Sequence, residues 1–130
     1  MPAISRWLFA VALTAGAPLA AQSAEPELSI RLRSADVEFR VDSDKDPFLG
    51  VVIASLDARL AHYFTALPPL LNDHVVLGYG TGSVARGFQL MVPDQALPAG
   101  ILIHAQGVAL DAIGIRATKV RSFLLDVTAR

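Results

Sequence analysis

The sequence predicts an all-β protein, an antiparallel β-sandwich of about seven strands behind an N-terminal signal peptide. Three observations predict it. Apolar and polar residues alternate with period two in several short runs, as in Leu28, Ile30 and Leu32 against Ser29, Arg31 and Arg33. Turns bearing Gly or Pro separate these runs at short intervals. No helices alternate with the runs, as the crossovers of a parallel sheet would require.

The first element is a leader. Arg6 precedes the apolar run Trp7-Leu8-Phe9-Ala10-Val11-Ala12-Leu13, and small residues lead on to Ala20-Ala21-Gln22-Ser23. A basic start, a short apolar middle and a small-residue end make a secretory signal peptide over residues 1–21, with cleavage possible as late as 23. The run is too short to span a bilayer, and Gly16 and Pro18 break it, so no stable transmembrane segment is expected after processing. Localisation is therefore secreted or periplasmic. Cleavage leaves roughly 107–109 residues, the size of a single domain over 25–130.

The chain contains no Cys, so its core must hold it without disulfides. A thiol nucleophile, a Cys-based zinc site and a redox motif are excluded with it. The formal net charge of −1 provides no basic excess to neutralise phosphates, which argues against nucleic acid as a partner.

The strands follow in order. After the first, Val37, Phe39 and Val41 alternate with Glu38, Arg40 and Asp42, in opposite parity to residues 28–32. A tight hairpin or a bulge across Ser34-Ala35-Asp36 explains the switch, and the bulge is the expectation. Phe48 to Ala54 is an apolar strand. Ser55 to Phe64 reads as a loop or one helical turn, and Leu67 to Asp73 as a connection. Val75 to Tyr79 is a short strand, Gly80-Thr81-Gly82-Ser83 a turn, and Phe88 to Val92 its hairpin partner. Ile113 to Ile115 and Val120 to Thr128 close the chain.

Between them Ala99 to Asp111 forms the centre. Its unbroken apolar character predicts a strand buried on both faces. Ile101, Ile103, Ala105, Gly107 and Ala109 share one face, small enough for a second sheet to approach or for Phe88 or Phe123 to fill. Gln106 lies on the other face among apolar neighbours and needs hydrogen-bond partners there. It is expected to tie a loop to the sheet.

Gly100-Ile101-Leu102-Ile103-His104-Ala105-Gln106-Gly107-Val108-Ala109-Leu110-Asp111 resembles the closing strand of small exported bacterial β-sandwich proteins, largely uncharacterised, where an aromatic usually stands at the position of His104. Phe88-Gln89-Leu90-Met91-Val92-Pro93 and Pro47-Phe48-Leu49-Gly50 are similar to two earlier segments of that pattern. The chain departs from it at Gly80-Thr81-Gly82 and at Ala117-Thr118. The resemblance implies a fold and an exported location, and no catalytic residues.

Candidate chemistry is sparse. Asp42, Asp44 and Asp46 have the alternating spacing of a calcium loop, and are the candidate metal ligands. The loop motif also wants Gly at its sixth position and an acid at its twelfth, where Pro47 and Ile53 stand, so a solvated turn is the plainer expectation. His62, His74 and His104 have no metal-ligand spacing. Gly78 to Ser83 leads into a strand rather than a helix, unlike a phosphate loop. No Gly-x-Ser-x-Gly elbow occurs, and no catalytic residue is assigned. The expected function is an exported, non-enzymatic binding or structural module, docking another exported protein or a surface glycan through Tyr63 and Tyr79. The alternative is a small metal-dependent hydrolase using Asp42, Asp44 and Asp46 with a histidine. No cofactor is implied, Ca2+ belonging to the alternative. A self-associating surface component is the third possibility.

Overall fold

A computed structural model describes residues 25–126, and the expected signal peptide lies outside them. Alternation builds the first two strands, β1 (Glu27–Leu32) and β2 (Asp36–Asp42). They form a hairpin, not a bulged single strand: Leu28 faces Val41, Ile30 faces Phe39 and Leu32 faces Val37. The Arg33 N–H donates to the Asp36 carbonyl at 2.8 Å to close the turn. Directly opposed residues share a face, so this register needs even apolar positions on β1 and odd ones on β2. The parity switch in the sequence is that requirement.

The remaining strands are β3 (Phe48–Ser55), β4 (Leu60–Ala61), β5 (Leu70–Leu71), β6 (Val75–Gly82), β7 (Phe88–Pro93), β8 (Leu102–Leu110), β9 (Ile115–Ala117) and β10 (Arg121–Leu124). Among the described residues there are thus ten strands where about seven are expected. All pairings are antiparallel, and no α-helix occurs among the described residues. One sheet has the order β1-β2-β7. A second runs β10-β8-β3-β6, with β9 also paired to β8, and β4 with β5 makes a small third. β8 therefore sits inside its sheet, as its apolar run predicts.

The sheets pack against each other through the inward residues of each strand. Phe39, Val37 and Val41 of β2 are fully buried, and the Phe39 ring meets Phe123 of β10 edge to face, 5.7 Å between centroids. Ile103, Ala105 and Ala109 supply the inner face of β8. The small residue at 107 is what lets the sheets meet: a Cβ there would stand 2.8 Å from Val41 Cγ2.

Glycine explains two further departures from expectation. Residues 80–82 are strand, not turn. Gly78, Gly80 and Gly82 line the inner face of β6 because large side chains lie directly over them: a Cβ at 80 would meet Phe88 Cε1 at 2.7 Å, and one at 82 would overlap Phe48. Nor do β6 and β7 pair as a hairpin. The chain turns at 83–87, where the Gly87 N–H donates to the Ser83 carbonyl at 2.6 Å, and then enters the other sheet. Gly87 has φ +69°, a conformation that glycine adopts without steric cost.

The stretch expected as a loop or helical turn contains β4, and the connection after it contains β5. These two short strands pair with each other, and β5 lies over the outer face of β3 and β8. Gln106 holds them there. Its Oε1 accepts from the Leu71 N–H at 3.0 Å, and its Nε2 donates to the carbonyls of Thr118 at 3.1 Å and Pro69 at 3.3 Å. The buried amide ties a loop to the sheet, as its apolar setting predicts.

Candidate functional site

The two ends of the packed sheets differ in chemistry. At one end, the start of β3 and the β8–β9 turn meet around Arg116. Its Nη2 donates to Asp111 Oδ2 at 2.7 Å, Ser43 Oγ at 3.1 Å and Asp44 Oδ1 at 3.2 Å. Asp111 is almost wholly enclosed. Burial raises its pKa, but the Arg116 guanidinium and the N–H groups of Ile113 and Gly114 outweigh that and hold the carboxyl below its ordinary value.

This end contains the carboxylates that the calcium-loop spacing singles out. The structure disperses them. Asp42 accepts from Arg40 Nε at 2.9 Å, Asp44 is bound by Arg116, and Asp46 is exposed. Among the described residues no group of three or more His, Asp or Glu side chains is placed to hold a metal ion. Two of the three histidines serve the backbone and a neighbouring strand: His74 Nδ1 donates to the Leu71 carbonyl at 2.7 Å, and His104 Nδ1 lies 2.7 Å from Ser122 Oγ. The His104–Ser122 contact has the elements of a nucleophile and base. The strand register surrounds it on that face with Ser55, Leu102, Gln106 and Leu124, none an acid that would orient the ring.

At the opposite end the sheets part. β3 ends, β6 and β8 begin, and the 3-10 turn Asp94–Ala96 after β7 stands over them. Between these segments lies a cleft of about 570 Å³. Ala54, Leu56, Val75, Leu77, Leu97 and Ile103 give it apolar walls, with Ala96 and Pro98 on the turn side. Ser55, Asp57 and Asp73 form a polar rim along one edge.

The rim is built by local hydrogen bonding. Ser55 Oγ donates to the Asn72 carbonyl at 2.6 Å and accepts from the Asp57 N–H at 3.0 Å. Asp57 holds Arg59 through both carboxylate oxygens, the shortest contact being 2.8 Å, and accepts from Asn72 Nδ2 at 3.0 Å. The Arg59 side-chain hydrogen bonds, then its backbone N–H and Asn72, push the Asp57 carboxyl far below the usual carboxylate range. Asp73 follows with φ +51°, a left-handed conformation that Asp tolerates better than most residues.

Of the two tyrosines expected to make contacts, Tyr63 joins this rim. Its hydroxyl accepts from the Asp73 N–H and donates to the Leu71 carbonyl, both at 3.1 Å, and its ring stands edge-on to His74. Tyr63 positions the rim. Tyr79 is 72% exposed on the outer face of β6 and lies apart from the cleft. The cleft is not legible in the sequence, because its walls come from four separated segments and no spacing in the chain links them. No protein-family model and no curated protein matches this chain.

Proposed function

We propose that the protein is an exported β-sandwich module, non-enzymatic, that binds by taking an apolar group into the cleft at the end of its sheets. The cleft is the observation that carries this reading: a concave, mostly apolar space with a few polar groups at one edge is the common form of a ligand site. Export is supported by Arg6 and the apolar run of residues 7–13, and by the resemblance of residues 100–111 to small exported bacterial proteins. The apolar group belongs to another exported protein or to a molecule at the cell surface.

A neutral, environment-sensitive dye such as Nile red tests it. Titration into the protein should give a saturable rise in emission. Ala96→Trp, an exposed position on the cleft wall, should abolish the rise by filling the space, and Tyr79→Ala should leave it unchanged. A signal that does not saturate, or that survives Ala96→Trp, sinks the proposal.

A further inference from the structure

The charge around the cleft narrows what enters it. Two of the lining residues, Asp57 and Asp73, carry carboxylates, and no Lys, Arg or His is among the lining residues. The two acids are not equivalent. Asp57 is engaged by Arg59 at both oxygens and by Asn72, so its charge is neutralised where it stands. Arg59 itself is 80% exposed, makes its hydrogen bonds to Asp57 and is attracted more weakly by Asp73. Asp73 receives a long 3.4 Å contact from Asn72, and its backbone is fixed by the Tyr63 hydroxyl. A carboxylate thus stands at the mouth of an apolar space, on a loop whose position is set by hydrogen bonds to its neighbours.

We infer that the cleft selects a small apolar molecule bearing a primary ammonium group, with its chain between Val75, Leu77, Leu97 and Ile103 and its charge on Asp73. The inference rests on the binding reading above and adds the ligand class to it. The physical basis is charge complementarity. An ammonium beside Asp73 forms a charge-assisted hydrogen bond at the edge of low-dielectric walls, while an anionic head group meets the like charge of Asp73. The apolar chain supplies affinity by leaving water, and the head group supplies the selection.

Calorimetric titration of the protein with octylammonium, 1-octanol and octanoate separates these contributions. Octylammonium should bind about tenfold more tightly than 1-octanol, the effect of one hydrogen bond to a charged group. Octanoate should bind more weakly than either, and added salt should shrink the differences. Asp73→Asn should bring octylammonium to the affinity of the alcohol. Asn is at home in the left-handed conformation of residue 73, so the loop should keep its shape, and an unchanged melting temperature would verify that. Ala96→Trp should weaken all three ligands together. Equal binding of amine and alcohol, or an amine preference that survives Asp73→Asn, overturns the ammonium assignment while the cleft remains a binding site. Binding of none of the three, or binding unaffected by Ala96→Trp, overturns both.

Discussion

Gln106 shows how one polar side chain can hold a whole segment in place. It is 2% exposed, and its amide satisfies a backbone N–H at 71 and backbone carbonyls at 69 and 118. Replacing it with Leu keeps the volume and removes the partners. Gln106→Leu should therefore cost about 2–3 kcal/mol, the penalty of leaving buried backbone groups unsatisfied, read as a lower urea midpoint at unchanged slope. Asp111 acts on stability through pH. Its folded-state pKa is depressed, so its contribution is complete above the ordinary carboxylate value of about 3.9 and is lost as the pH falls through the lower folded-state value. Asp111→Asn should be less stable than the parent at pH 7, and the gap should close on acidification. A gap that stays constant from pH 7 down to the acid limb would show that Asp111 does not carry this charge linkage.

At the level of elements, the glycines of β6 and the aromatic rings opposite them form one packing unit. Gly50 and Gly80 both lie under Phe88, with Cβ positions 2.8 and 2.7 Å from its atoms. Gly80→Ala should destabilise by about 1–3 kcal/mol through overpacking, and combining it with Phe88→Leu should cost less than the sum of the two changes. A double-mutant cycle measures that coupling; strict additivity would mean that the ring and the glycine do not share the space. The same unit explains what the sequence could and could not reveal. β2, β3 and β8 were legible because alternation or an unbroken apolar run reports burial directly. The end of β6 was not: Gly80-Thr81-Gly82 has turn composition, and only the rings arriving from positions 48 and 88 make it a strand. The parity change near Ala35 was visible, but it is equally the mark of a hairpin and of a bulge. Of the site, Tyr63 is singled out by the sequence and its hydroxyl accepts from the Asp73 N–H, whereas Asp57 and Asp73 carry no spacing that singles them out.

Taken whole, the molecule pairs residues that are far apart in the chain. The β1–β2 hairpin is local, but β3 joins β8 between residues 49–55 and 104–110, separated by roughly fifty to sixty positions. Removing β8 leaves β3 with β6 as its sheet neighbour and takes Ile103, Ala105 and Ala109 from the core. A chain ending at residue 99 should therefore show no cooperative thermal transition, whereas the complete chain should show one by calorimetry. The sheet order also governs when folding can happen. While residues 102–110 are still to be synthesised, β3 has β6 beside it but one edge open, so the second sheet is completed only when β8 arrives to fill the place between β3 and β10.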